Sequence, residues 1–319
     1  MYRRKFVLGL GTLLALPALP ESGRLGMSDI TRIRGAEARL VRLDDEHGSA
    51  ELAEVAARYI EHVERAMRHC TYGSRVQKSL HQTLGEMCAQ TGWLSYDSGE
   101  HDDARHWWDT GLRYALLARD SVLQARIWSN MARQAVDLGH GSEAVAIART
   151  ALDATRNRRH PRLSALLHSR VALGHSVSRE KGRCGQSLHR AEQDLDRAAG
   201  DTPPWLAFCG PGELAGQAAL CFYNLGDYAR AAQADRDALA SPQIEKFRRN
   251  QFATHVSLAR NLLAAGELDE GLASGHQALD LLPEVRSPRW AAHLDRFRRG
   301  VETRLPAASE FADRYQEMT

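Results

Sequence analysis

Two short stretches carry side chains that chemistry could use. In Gly174-His-Ser-Val-Ser178 a serine follows a histidine, the raw material of a nucleophile and its base. In His101-Asp-Asp-Ala-Arg-His106 the four-residue step from Asp102 to His106 sets a carboxylate and an imidazole on one helical face, as metal ligands require. Each stretch has a plainer account. The first sits inside a helical pattern, and the second reads as the acidic opening turn of a helix, where Asp102 and Asp103 complement the helix dipole. The chain has no G-x-S-x-G elbow, H-E-x-x-H pair, G-x-x-x-x-G-K-[ST] loop or strand-borne G-x-G-x-x-G. No enzyme activity, cofactor or metal is therefore expected.

Other side chains are open to two readings. Trp107, Trp108 and Trp128 would make an aromatic cage or fill a core between hairpins, and bulky residues at helical spacing favour the core. Arg156, Arg158, Arg159 and Arg162 surround His160-Pro161, as either a solvated connector or an anion contact. Cys70, Cys88, Cys184, Cys209 and Cys221 are odd in number, scattered and free of C-x-x-C pairs, which points to buried thiols rather than disulfides or zinc. The 42 basic and 40 acidic residues nearly cancel, leaving +2, so no global field invites nucleic acid or an anionic membrane.

These residues are positioned by a repeat. Gly99, Gly139, Gly182, Gly226 and Gly266 each separate two helical patterns, at intervals of 40, 43, 44 and 40 residues. Thirteen positions after each stands Leu112, Leu152, Leu195, Leu239 or Leu279, and five after stands Ala104, Ala144, Ser187, Ala231 or Gly271. A glycine supplies the positive φ on which a first helix ends, the small residue admits a close helix crossing, and the leucine packs two turns further on. The first helices are predicted near Lys78–Asp97, Val122–Leu138, Leu163–Arg179, Glu213–Leu225 and Asn250–Ala265. Helices near Ser28–Asp45, Ala50–Cys70 and Arg289–Leu305 would cap the array, because terminal hairpins must cover an apolar face. The resulting layout is an apolar segment 1–25, N-terminal caps 26–75, five hairpins 76–284, and a C-terminal helix and tail 285–319.

The pattern resembles the tetratricopeptide repeat. Small residues fall seven before the turn glycine (Gly92, Ala132, Ala219, Ala259) and twelve after it (Ala151, Ala238, Ala278), and Pro283 marks the last exit. The third repeat is one residue out of step, with His175 where Gly174 would fit. The resemblance implies an all-α, right-handed superhelical α-solenoid whose partners lie along its concave face, at positions thirteen, nine, six and two before the turn. In the second repeat these are Arg126, Asn130, Arg133 and Asp137, a set able to hold a carboxylate or an extended backbone. Elsewhere the candidates are Gln90, Trp93, Gln217, Asn224, Ser257 and Arg260, with Asn261 adjacent. A merely solvated polar face would look the same.

Three further stretches are similar to the long C-terminal region of actinobacterial, Streptomyces-type regulators that begin with an XRE-family helix-turn-helix. They are Arg39-Leu-Val-Arg-Leu-Asp-Asp-Glu-His-Gly48, Pro203-Pro-Trp-Leu206 leading to Glu213-Leu-Ala-Gly-Gln217, and Arg286-Ser-Pro-Arg289. Residues 3–19 look like the apolar linker that follows the DNA-binding domain in that family. Nothing in the first fifty residues has the two-helix layout of such a domain, so direct DNA contact is not expected. The resemblance implies a cytoplasmic module that binds a protein segment, a peptide or a small signal molecule. Dimerisation through the capping helices is left open. Arg3-Arg4 before an apolar run also suits a twin-arginine export signal, which makes an exported repeat scaffold the alternative function and location, although fourteen apolar residues fall short of the roughly 20 that span a membrane; an unrecognised enzyme is the further alternative.

Overall fold

The computed structural model describes residues 16–47, 52–157, 160–285, 287–304 and 308–318. They form fourteen α-helices, two 3-10 turns and one parallel pair of two-residue strands. Helices α1 (Met27–His47) and α2 (Leu52–His69) come first. Five hairpins follow: α3 and α4 (Ser74–Asp97, His101–Ala118), α5 and α6 (Ser121–Asp137, Gly141–Ala154), α7 and α8 (Pro161–Val177, Lys181–Asp196), α9 and α10 (Pro211–Asn224, Tyr228–Leu239), and α11 and α12 (Arg248–Ala265, Leu268–Leu281). The chain closes with α13 (Pro288–Glu302) and α14 (Ala308–Met318). It forms two compact units, Met1–Ile127 and Trp128–Thr319, divided within α5.

All five hairpin turns use one hydrogen bond. The residue after the turn donates its backbone N–H to the carbonyl five residues earlier: Glu100 to Ser95, His140 to Ala135, Glu180 to His175, Asp227 to Phe222 and Glu267 to Leu262, at 2.8–2.9 Å. This closure needs a left-handed residue at the corner. Gly99, Gly139, Gly226 and Gly266 supply it, with φ between 80° and 91°. The third turn departs from the sequence reading. Its corner is Arg179, at φ 61°, while Gly182 lies inside the first turn of α8. An arginine in this conformation bears a Cβ clash that glycine avoids, so a search for glycine settles three residues too far along.

Moving the corner to Arg179 aligns the array. The corners 99, 139, 179, 226 and 266 are spaced 40, 40, 47 and 40 residues. The position seven before becomes Gly92, Ala132, Ala172, Ala219 and Ala259, and the position twelve after becomes Gly111, Ala151, Ala191, Ala238 and Ala278, all buried. Five after, Cys184 replaces Ser187 as the third member. The leucine row has an exception, since Glu192 rather than Leu195 stands thirteen after Arg179. Small residues keep these rows because the helices touch there: a Cβ on Gly92 would sit 2.4 Å from the Trp108 indole, and one on Gly111 would sit 3.1 Å from the Cys88 Cβ. Trp108 is fully buried and its Nε1–H donates to the Ala89 carbonyl at 3.2 Å, so it belongs to the core.

The first unit packs Ile30, Ile33, Tyr59, Ile60, Val63, Leu80 and Leu84 together with Leu19 and Leu25. The chain before α1 is built into that core: the Leu19 N–H donates to His62 Nε2 at 3.3 Å, and Gly23–Arg24 pairs with Cys70–Thr71. The second unit ends in a core of Phe252, Val256, Leu279, Leu294, Phe297 and Phe311. Phe311 comes from α14, which the sequence reading left as a tail. Its signature was present in Ala308, Phe311, Ala312 and Tyr315, spaced as one helical face. Residues 3–15 of the proposed linker, Gly48, Arg158, Arg159 and Arg286 lie outside the described residues. Among the described residues, no helix is long and apolar enough to cross a membrane.

Candidate functional site

The two stretches with catalytic appearance have structural surroundings. Ser176 is buried in α7 and its Oγ–H donates to the Leu173 carbonyl at 2.7 Å, while His175 pairs with Glu180 across the turn. Asp102 and His106 open α4, and no group of three or more His, Cys, Asp or Glu is placed to hold a metal among the described residues. All five cysteines are buried free thiols. Arg162 donates to the Cys209 carbonyl at 2.8 Å, tying the connector around Pro204–Leu206 to α7, and Arg156 pairs with Asp153 at 3.0 Å on the surface.

The polar residues of the first helices are more telling, and the positions thirteen, nine, six and two before each corner are here termed the A-face. In the first unit, Gln90 is buried between two partners, donating to Asp44 Oδ2 at 3.1 Å and accepting from Arg126 Nη2 at 3.4 Å. Arg126 faces Glu86 and Glu37. Burial pushes the Glu37 carboxyl up to about 7, with the Arg126 charge opposing and the Glu86 charge adding to the rise. Burial likewise raises Glu86 and lowers Arg126, whose charge the two carboxylates help to retain. Trp93 lies against Tyr96, ring centroids 5.2 Å apart.

In the second unit the A-face is joined from helix to helix. Arg170 Nη1 donates to Gln217 Oε1 at 2.8 Å, and Gln217 Nε2 donates to Glu213 Oε1 at 2.7 Å. Asn224 Nδ2 donates to Ser176 Oγ at 3.0 Å. Burial raises the Glu213 carboxyl, against the pull of Arg170, Arg133 and Arg249. Arg133 is itself buried and pairs with Asp137, which Arg289 of α13 also reaches at 3.4 Å. Arg260 lays its guanidinium 3.7 Å from the centre of the Tyr223 ring. Beside it Ser257 and Asn261 are buried, and Asn261 Nδ2 donates to Asp235 Oδ2 at 2.6 Å. Burial pushes Asp235 up to about 7, with the Ser257 hydroxyl, Arg260 and Asn261 pulling it down.

Each unit thus brings together part of the predicted set: Gln90 with Arg126 in one; Gln217 with Glu213 and Arg170, and Ser257, Arg260 and Asn261 with Asp235, in the other. Asn130 is half-buried on α5. Asn261 lies one position off the A-face and is enclosed between α10 and α11. Arg170 was missed because the third corner was misplaced; counted from Arg179 it falls nine before, in the row of Gln90, Asn130, Gln217 and Ser257. Glu86 and Glu213 hold the thirteen position and were legible in the same frame. Arg289, His293 and Arg296 were missed as a set, although steps of four and three place them on one face of α13. Apart from the A-face, a cleft of about 300 Å³ opens beside α8 and α9, lined by Lys181, Leu188, His189, Glu192, Phe222 and Arg230.

No protein-family model matches the sequence, and no curated protein matches it. Solved structures do. The chain is similar to a Rap protein complexed with competence and sporulation factor, at TM-score 0.58 and 13% identity over 92% of this chain and 86% of that one. It also aligns with BtubC from P. vanneervenii (TM-score 0.48, 19% identity, 72% and 89% of the two chains). A third match is the apo quorum sensor NprR from B. thuringiensis (TM-score 0.49, 17% identity, 86% and 70%). At 13% identity the likeness to Rap shows the fold, an all-α, tetratricopeptide-like α-solenoid, and leaves activity to the residues.

Proposed function

We propose that this chain is a non-enzymatic sensing module of a regulatory system, and that its A-face binds a peptide, a protein segment or a small signal molecule. The observation that carries this reading is the set of buried or half-buried arginines, Arg126 and Arg133 of α5, Arg170 of α7 and Arg260 of α11, displayed at A-face positions of three different helices. A fold can be held by apolar contacts alone, and burying a guanidinium is costly. Retaining several on one kind of face is better explained by a recognition task than by stability. The candidate binding set is Gln90, Trp93, Arg126, Asn130, Arg133, Gln217, Asn224, Ser257, Arg260 and Asn261, to which Arg170 is added. Gln217, Asn224 and Asn261 serve by fixing neighbours through their hydrogen bonds.

Support comes from two directions. The Rap structure, alike in fold, was solved with competence and sporulation factor bound. The resemblance of Pro203–Leu206 and the Arg39 stretch to regulators of the actinobacterial XRE family suggests a transcriptional setting, with DNA contacted by another domain. A cytoplasmic location follows from that setting. It also agrees with the burial of Leu19, which processing near Glu21 would remove from the core of the first unit.

The test is thermal unfolding of the purified chain with a pool of random hexapeptides. A concentration-dependent rise in Tm is expected, because a ligand that binds only the folded state stabilises it. A Tm that stays flat for pools of every charge type up to millimolar concentration defeats the reading.

A further inference from the structure

In the second unit α11 packs against α13, and arginines of both helices act on one imidazole. Arg260 from α11 and Arg289 and Arg296 from α13 all act on His293; together with burial they push its pKa down to about 3, opposed by Asp137. Arg133 of α5 adds its field at Arg260. The acidic partners are heavily committed. Asp137 is shared between Arg133 and Arg289, and Asp235 is held by Asn261, with burial pushing its carboxyl up to about 7.

Arg260 is also incompletely bonded. Its Nη2 reaches Ser257 Oγ and Asn261 Oδ1 only at 3.5 and 3.4 Å, and its Nε is buried with no hydrogen-bond partner. A buried guanidinium donor without an acceptor costs on the order of 1–3 kcal/mol. Arg296 is exposed, with its Nε 3.4 Å from the Ala292 carbonyl in its own helix. Like charges drawn together in a half-buried place are stabilised most by an anion whose oxygens can accept from several guanidinium forks at once.

Resting on the ligand-binding reading above, we propose that the second unit holds an oxyanion subsite formed by Arg260, Arg289 and Arg296, and that it takes a carboxylate of the bound peptide. The occupant's carboxylate competes with Asp137 for Arg289, so binding reaches the link between α13 and α5. His293 stays neutral there and offers one ring nitrogen as a donor to the same anion.

The experiment uses the full chain and three probes: inorganic phosphate, a pool of random hexapeptides with free C-terminal carboxylates, and an amidated pool lacking Asp and Glu. Every member of the free-acid pool carries the group in question, so the whole pool titrates the subsite. The free-acid pool is expected to bind about tenfold more tightly than the amidated one, as judged from Tm shifts. Arg296→Gln removes most of that difference; its side chain is exposed, so folding is preserved. Arg260→Gln acts likewise where circular dichroism shows a native fold. Arg156→Gln, on the surface beside Asp153, leaves the difference intact. If phosphate alone stabilises the chain, and does so through Arg296, the oxyanion subsite stands and its occupant is a phosphate group, which overturns the carboxylate assignment. Equal binding of both pools, or an undiminished difference in Arg296→Gln, overturns the subsite while leaving the sensing module in place. The module itself fails only when the amidated pool is silent as well.

Discussion

Arg289 Nη1 lies 3.4 Å from the Asp137 carboxylate, although 152 residues separate the two in the chain. Within the second unit this pair ties α13 back to α5. Asp137 also receives Arg133, so one carboxylate serves two guanidinium groups. Asp137→Asn should lower stability by about 1 kcal/mol, the worth of a partly exposed pair. The loss should shrink in 0.5 M salt as screening takes over. Urea unfolding of both proteins at two salt concentrations checks this, and a midpoint unchanged at low salt would count against the link.

The corner assignment makes opposed predictions for glycines that look equivalent in sequence. Gly226 has φ 81°, so Gly226→Ala should destabilise by about 1 kcal/mol or more through left-handed strain. Gly182 is helical, with open space where a Cβ would stand, so Gly182→Ala should stabilise by about 0.5–1 kcal/mol. Arg179→Gly should be neutral to stabilising, by up to about 1 kcal/mol, because strain relief is offset by extra freedom in the unfolded chain. Three thermal melts decide it, and a destabilising Gly182→Ala would restore the original corner.

A buried carboxyl and a half-buried imidazole give the second unit opposite responses to pH. Asp235 titrates near 7 in the fold against 3.8 unfolded, so the folded state holds the extra proton between those values and stability falls as pH rises through that window. Asp235→Asn removes the fall and should stabilise the chain on the order of 2 kcal/mol at pH 8, with little effect at pH 4. His293 titrates near 3 in the fold against 6.5 unfolded, so the unfolded state binds the extra proton and stability falls as pH drops through that range. His293→Gln should therefore flatten the acid limb. Unfolding free energies from pH 3 to 8 for both variants test the signs. Parallel curves for Asp235→Asn and the parent would show that Asp235 titrates normally.

Residues before α1 contribute to the core of the first unit. Leu19 is 6% exposed among Leu25, Tyr59 and Ile60, and its N–H meets His62. A chain beginning at Glu21 should lose about 2–4 kcal/mol, and Leu19→Ala about 2 kcal/mol or more. Denaturant titration measures both, and a truncated chain as stable as the parent would show that the segment packs without adding stability.

The alternation of helices was legible because apolar periodicity and small residues at close crossings are local signals. The five first helices fall within a few residues of their expected bounds. The third corner was not legible from glycine, since Arg179 carries the left-handed conformation without the usual residue. Ala172 and Ala191, seven before and twelve after, would have located it. The partners of the A-face lay beyond sequence reading for a different reason. Arg170 meets Gln217 and Asn224 meets Ser176 across 47 and 48 residues, and such distances follow from stacking geometry rather than from any local pattern.

The uneven spacing of 40, 40, 47 and 40 has a consequence for how the gene can change. The extra seven residues fall between Arg179 and Gly226, a span that includes the connector from α8 to α9, where Leu206 is buried and Arg162 holds the Cys209 carbonyl. A unit of forty codons, read from corner to corner, is the piece that duplication could copy intact. Insertions and deletions are expected to be tolerated in the connectors between hairpins, as in the span before Gly226, and rejected at the corners, where one shared hydrogen bond fixes the count of residues.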